Sequence, residues 1–81
     1  MDLTAYISKG IDAKGGVIAL AQHLGMSRTH LADAKALRRG IPTFACVRLA
    51  QLIEDDERRV IAASELVTET NPERRAVWLP F

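Results

Sequence analysis

Apolar residues recur at helical spacing along almost the whole chain, and no segment shows the sustained apolar–polar alternation that is typical of a β-strand. A first helix is predicted to begin after the capping residue Asp2 and to end at the pair Gly15-Gly16. One side of this helix is apolar and consists of Leu3, Tyr6, Ile7 and Ile11. The pattern therefore predicts an all-α fold.

The next two predicted helices are short and only a few residues apart. The second should close at Gly25, where a left-handed residue is expected, and its apolar side consists of Val17, Leu20, Ala21 and Leu24. Ser27 is a suitable N-cap for the third helix, which is expected to run to Gly40. The side chains that this third helix should turn inward are Leu31, Ala34 and Leu37.

Further helices are predicted in the second half of the chain. Thr43 should cap a fourth helix, and the acidic run 54–57 precedes a fifth, where negative charge favours a helix N-terminus. Asn71-Pro72-Glu73 supplies a cap, a first-turn proline and an acidic residue for a short last helix. We expect one domain over residues 1–81, with five or six helices and a C-terminal helix and tail over about 56–81.

Composition fits a single small domain and argues against several classes of protein. Of the 81 residues, 48% are apolar and 26% are charged. The longest apolar run, Val17 to Ala21, is far shorter than the ~20 residues of a membrane span, and the first residues do not form a secretory signal. The only cysteine, Cys46, cannot form an internal disulfide, and its place on an apolar helix face favours a buried, inert thiol. These features fit a reducing cytosol.

No set of residues in the sequence suggests catalysis or a bound cofactor. His23 and His30 lack a third ligand, and the acidic run 54–57 lacks the spacing of a calcium loop. Neither a glycine-rich phosphate loop nor a nucleophile motif is present. We therefore expect no metal, no cofactor, no small-molecule ligand and no enzymatic activity.

Charge is divided unevenly between the two halves of the chain, although the net charge is only +1. Residues 1–40 contain six Lys or Arg against three Asp, whereas residues 41–81 contain five Arg against seven acidic residues. A basic first half favours a polyanionic partner, and an acidic second half favours solubility or a protein partner.

The segment 17–37 meets the residue requirements of a helix-turn-helix, in which two short helices cross steeply. Ala21 is small where the second helix crosses closest, and Gly25 permits the positive φ of the turn. The positions that point into the junction are also apolar, namely Leu20, Leu24, Met26, Leu31 and Ala34.

Two stretches of this sequence resemble known proteins. The stretch GGVIALAQHLGMSRTHLADAKALRRG resembles the helix-turn-helix of the Cro/repressor-type (XRE-like) regulators of bacteria and phages. The stretch CVRLAQLIEDDERRVIAASE, followed by NPERRAVW, is similar to a group of small phage-related Cro-like proteins with a closing NPE-x-R-A-x-W. The resemblance implies a lambda-repressor/Cro-like DNA-binding domain of five helices, usually dimeric, on a short operator. The glycine that usually follows the recognition helix is here Leu37, which predicts a longer third helix.

A helix-turn-helix places the third helix in the major groove, so its outward side defines the candidate DNA contacts. The candidate base-reading residues are Ser27, Arg28, Thr29, Ala32 and Asp33. Arg28 is the best candidate for a bidentate contact to guanine, and Asp33 could accept from cytosine or orient Arg28. The candidate phosphate-binding residues are Gln22, Lys35, Arg38 and Arg39.

The aromatic residues available to the core are Tyr6, Phe44 and Trp78. Two interpretations of the C-terminal tail stay open. In the first, Trp78 and Phe81 fold back over the first and fifth helices. In the second, they form the subunit interface of a homodimer together with Val67 and Val77. Exchange of tails between the subunits is one form of this second interpretation.

The sequence-based hypothesis is a phage or prophage repressor in the cytoplasm of a bacterial host, associated with the nucleoid, that binds double-stranded DNA as a dimer. One alternative is a protein-interaction module that uses the same scaffold to bind a host factor. Another is an antitoxin-like regulator that binds both its operator and a toxin.

Overall fold

The computed structural model describes all residues, 1–81, and they form six α-helices and no β-strand. The helices are α1 (Leu3–Lys14), α2 (Val17–Leu24), α3 (Arg28–Lys35), α4 (Thr43–Ile53), α5 (Glu57–Thr68) and α6 (Pro72–Trp78). The prediction of an all-α fold with five or six helices is confirmed. No helix combines the length and the apolar character that a bilayer crossing needs.

Helix α1 lies at the centre of the fold, because it packs against α2, α3, α4 and α5. The most extensive contact between two helices joins α4 and α5, whereas α6 packs against α5 alone. The fully buried core is aliphatic, and its largest side chains are Leu3, Ile7, Leu20, Leu24, Leu31, Leu49 and Val60. Of the aromatic residues, Tyr6 joins this core, but the side chain of Phe44 is 53% exposed, so its assignment to the core is wrong.

Local capping explains most helix boundaries. The carboxylate of Asp2 accepts the N–H of Ala5 at 3.0 Å, and the Asn71 side chain caps α6 in the same way. Thr43 is not the cap of α4: Pro42 occupies the N-cap position, and Thr43 is the first helical residue. The proline backbone already has an extended ψ of 151°, so it begins the helix without a side-chain hydrogen bond.

The third helix ends earlier than its sequence predicts. It stops at Lys35, and Leu37 adopts a left-handed conformation with φ 62°, a conformation that favours glycine. Leu37 is therefore neither helical nor turned inward, and 44% of its surface is exposed. A left-handed backbone costs a non-glycine residue roughly 1–2 kcal/mol. Leu37 thus keeps the turn of the motif at the expense of strain.

The loop after α3 is fixed to α5 by a close backbone approach at Gly40. A Cβ at this position would lie 2.6 Å from Ser64 Oγ and 2.8 Å from the Ser64 carbonyl oxygen, so only glycine fits. The buried Ser64 hydroxyl accepts the N–H of Ile41 at 2.8 Å and donates to the Ile41 carbonyl at 3.1 Å. His30 Nε2 donates to the Gly40 carbonyl at 2.9 Å. These bonds connect α3, its following loop and α5.

Candidate nucleic-acid interface

The turn between α2 and α3 forms as its residues predict. Gly25 has φ 71°, and its N–H bonds to the carbonyl oxygens at the end of α2. The Ser27 hydroxyl then accepts the N–H of His30 at 3.0 Å and begins α3. Met26 is half-buried beside the core, so the two helices are joined by a short, well-anchored turn.

Buried apolar residues hold α3 against the rest of the domain. Leu31 and Ala34 face inward and have essentially no exposed surface, as do Leu20 and Leu24 of α2. At the C-terminus of α3, the Thr4 hydroxyl donates to the Lys35 carbonyl at 2.6 Å. Apolar packing on the inner side and a hydrogen bond at the C-terminus therefore hold α3 against the domain. The outer side of α3 is exposed to solvent.

The predicted base-reading residues do lie together on this outer side. Ser27, Arg28, Thr29 and Ala32 are exposed, and Asp33 is half-buried. The Ser27 hydroxyl is also engaged as the helix cap, so it has less freedom for a base than its neighbours. The Arg28 side chain makes no hydrogen bond or ion pair within the chain.

Asp33 pairs with Arg38, and not with Arg28 as one interpretation of the sequence has it. Arg38 Nε lies 3.1 Å from Asp33 Oδ1, because the left-handed Leu37 turns the chain back over the end of α3. The Arg38 N–H also donates to the Asp33 carbonyl at 2.9 Å. Arg38 thus stands in the loop beside α3 and neutralises the only acidic residue on the outer side of the helix.

The predicted phosphate-binding residues lie on α2, at the end of α3 and in the loop after α3. Gln22, Lys35, Arg38 and Arg39 are all exposed. Because α3 ends at Lys35, the two arginines lie in the following loop rather than on the helix.

The structure adds a feature that the sequence analysis did not identify, the N-terminus of α2. Gly16 is its N-cap and provides no side-chain hydrogen bond, so the first amides of the helix have no protein acceptor. Residues 15–19 line an open depression of about 560 Å³ together with Gln22 of α2 and Arg28 of α3. A glycine pair directly before a short helix, without Ser, Thr, Asp or Asn at the cap, was the sequence signal for it.

The four residues predicted for a dimer interface differ in their exposure. Val77 and Phe81 are 60% and 52% exposed, whereas Val67 and Trp78 are half-buried. Helix α6 packs against α5 and against no other helix, and the choice between the two interpretations of the tail stays open. Helix α6 contains no buried residue, so it adds little to the core.

The chain's only thiol lies on α4, outside the α2–α3 unit. Cys46 is buried, as predicted, and burial raises the pKa of its thiol to about 11, so the thiol is protonated at neutral pH. No group of three or more His, Cys, Asp or Glu side chains is close enough together to hold a metal ion.

Comparison of the chain with models of known protein families, with curated proteins and with solved structures finds no match in any of the three. The functional inference therefore depends on the geometry of the α2–α3 unit and on the chemistry of its exposed residues.

Proposed function

We propose that this protein is a sequence-specific DNA-binding regulator of transcription. The observation that carries the proposal is the free outer side of α3, which presents the unpaired Arg28 next to the uncapped N-terminus of α2. An α-helix fits the major groove, and backbone amides at a helix N-terminus bind phosphate oxygens. Arg28 and the N-terminus of α2 line the same depression. Arg28 could therefore contact a base while the amides of α2 contact a neighbouring phosphate.

Each exposed residue has a defined task in this proposal. Arg28 reads guanine through O6 and N7, and Thr29 and Ala32 approach thymine methyl groups. Asp33 accepts from cytosine or positions Arg38 through their ion pair. The amides of α2 and the side chains of Gln22, Lys35, Arg38 and Arg39 anchor the phosphates.

The proposed active form is a homodimer on a pseudo-palindromic operator. The reading helix α3 has only eight residues, so one copy can contact only a few base pairs. Two copies related by a twofold axis would read half-sites ~34 Å apart. A dimer of this kind that covers a promoter excludes polymerase without further chemistry, and this suits a Cro-like phage or prophage repressor in a bacterial cell.

The proposal is tested by selecting duplexes from a random pool with the wild-type protein and measuring affinity for the selected sequence against salt. Arg28→Ala should lose about 1–3 kcal/mol of discrimination at one base pair. Lys35→Ala should weaken all duplexes about equally and reduce the salt slope by about one.

Arg59→Ala is the matched control, because Arg59 is an exposed arginine on α5, away from α3, with no side-chain partner in the chain. It should bind the selected duplex as the wild type does. If all three variants behave alike, or if the wild type enriches no sequence, the proposal is wrong.

A second candidate function, binding of a protein partner on the same scaffold, is favoured by one observation. An apolar groove of about 450 Å³ lies between α1, the first residue of α2 and α3, and its apolar lining includes Ile11, Val17, Ala32 and Ala36. An apolar surface beside the reading helix suits a protein side chain better than a phosphate backbone. Failure of the wild type to bind any duplex at low salt would favour this alternative.

A further inference from the structure

One buried polar contact fixes the loop between α3 and α4, residues 36–42, to the rest of the domain. Among the serine, threonine, amide and charged side chains, only Ser64 of α5 is buried. Its hydroxyl accepts the N–H of Ile41 at 2.8 Å and donates to the Ile41 carbonyl at 3.1 Å. The Cys46 thiol of α4 lies 3.8 Å from the same carbonyl oxygen. The loop is therefore bonded to α4 and α5 at Ile41.

The peptide group between Gly40 and Ile41 is bonded on both sides. Its N–H belongs to Ile41 and is held by Ser64 of α5, and its carbonyl belongs to Gly40 and accepts from His30 Nε2 of α3 at 2.9 Å. A peptide group is planar, so the two bonds fix one rigid plane between the two helices. We call this arrangement of His30, the Gly40–Ile41 peptide group and Ser64 the peptide bridge.

The peptide bridge connects α3 to a part of the domain that α3 does not pack against. Helix α3 packs against α1 and α2, and the residues that it buries, Leu31 and Ala34, are both apolar. Apolar packing has little directional preference, whereas hydrogen bonds are directional. The rotation of α3 about its own axis therefore depends on its directed bonds, which are the bridge from His30 and the bond from Thr4 to the Lys35 carbonyl.

We propose that Ser64 is a positioning residue for DNA reading, which acts through the peptide bridge on the rotation of α3. The proposal rests on the proposed function and deepens it. Ser64 has 5% of its surface exposed and its hydroxyl is fully engaged with Ile41, so it acts on a duplex only through other residues. A buried polar network with all its partners satisfied specifies one arrangement of the elements that it joins.

The position of the bridge explains why discrimination should depend on it more than general affinity does. His30 shares α3 with Arg28, and a bidentate contact to guanine tolerates little misalignment of its donors. Arg38 and Arg39 directly precede Gly40 in the sequence. Their contacts to phosphate depend mainly on charge and carry no sequence information. Loss of the bridge should therefore misalign the base contact while most of the phosphate attraction remains.

The first test compares two substitutions on α5 by measuring the affinity for the selected duplex and for an unrelated one. Ser64→Ala removes the bridge and should lower the ratio of the two affinities about tenfold, the loss expected for one misaligned base contact. Val60→Ala is the matched control, because Val60 is fully buried one turn earlier on the same helix and has no polar group. It should destabilise the fold but keep the ratio, because partial unfolding lowers both affinities by the same factor.

The second test asks whether Ser64 acts through His30. His30→Leu should lower the ratio as Ser64→Ala does, and the double variant should lower it no further, because both changes break the same bridge. His30→Gln, whose amide keeps a donor, should restore most of the ratio. His23→Leu is the control, because His23 is also half-buried but its side chain makes no hydrogen bond within the chain.

A measurement without DNA tests the geometry itself. Residual dipolar couplings of the ¹⁵N-labelled free protein report the orientation of α3 relative to α5, which should change in Ser64→Ala and in His30→Leu but not in Val60→Ala. Circular dichroism of each variant confirms that it is folded at the temperature used.

Unchanged couplings in Ser64→Ala would overturn the inference even where the wild type selects a duplex. An equal loss of the ratio in Val60→Ala, or additive losses in the Ser64→Ala and His30→Leu double variant, would overturn it as well. A wild type that selects no duplex would refute the proposed function, and with it the reading role of Ser64, even where the couplings change.

Discussion

The two ends of the domain attach their short helices by opposite means. Helix α3 is held by buried apolar side chains, Leu31 and Ala34, and exposes polar and charged groups. Helix α6 has no buried residue, is held by the polar contacts of Arg75, and exposes apolar side chains. Helix α3 is therefore built into the core and keeps a free polar side suited to a charged partner, whereas α6 is attached at the surface and is followed by exposed apolar side chains.

The largest expected effect distinguishes two leucine-to-alanine substitutions, one on α3 and one directly after α6. Leu31→Ala should lower the free energy of unfolding by about 2–5 kcal/mol, because it leaves a cavity beneath α3. Leu79→Ala, in an exposed position, should change it by less than about 0.5 kcal/mol. Urea denaturation at low protein concentration measures both, and equal losses would contradict the difference in attachment.

The next effect concerns the polar attachment of α6. Arg75→Met keeps the apolar stem but removes both hydrogen bonds to the end of α5, so α6 should open more easily by about 1–3 kcal/mol. Hydrogen exchange should accelerate over residues 72–78 while α1 and α4 stay protected. Arg74→Met is the control, since Arg74 has only a long, exposed contact of 3.8 Å with Glu69. A global loss of protection in Arg75→Met would show that α6 belongs to the core.

A smaller effect tests the backbone strain at Leu37, in the loop after α3. Leu37→Gly should stabilise the fold by up to about 1 kcal/mol, because relief of the left-handed strain exceeds the added entropy of the unfolded glycine. Glu54→Gly should give a similar gain, since Glu54 has φ 57°. Urea denaturation measures both changes, and a loss of stability in Leu37→Gly would contradict the strain assigned to this turn.

The smallest effect on stability is expected at the ion pair beside α3. Asp33→Asn should change the free energy of unfolding by less than about 1 kcal/mol, because both side chains of the pair are partly exposed. It should nevertheless strengthen binding to unrelated duplexes at low salt, because it removes the only acidic residue of the outer side. Fluorescence anisotropy with an arbitrary duplex measures this change, and weaker binding would contradict the assigned position of Asp33 at the interface.

Most helix ends were predictable from the sequence, because interactions between neighbouring residues determine them. Caps at Asp2, Ser27 and Asn71 and the left-handed glycines at 15 and 25 act through neighbours in the sequence, so residue types alone place these helix ends. Leu37 has no such signal, because leucine rarely adopts a positive φ, and the end of α3 was therefore placed too late.

The positions of the candidate site residues were predictable only in part. Helical periodicity identified the outward residues of α3, but not the Asp33–Arg38 pair, which depends on the turn at Leu37. The pattern also could not show that Phe44 is exposed or that α6 packs on α5 alone, because both depend on which helices meet in three dimensions.

The central claim, that the outer side of α3 and the start of α2 contact a duplex, is tested most directly by nuclear magnetic resonance. The backbone amides of the ¹⁵N-labelled protein would be followed during titration with the selected duplex. The largest shift changes should fall on residues 16–19 and 27–33, with the tail 77–81 unaffected by the DNA. Changes confined to other surfaces, or none at saturating duplex, would contradict the claim.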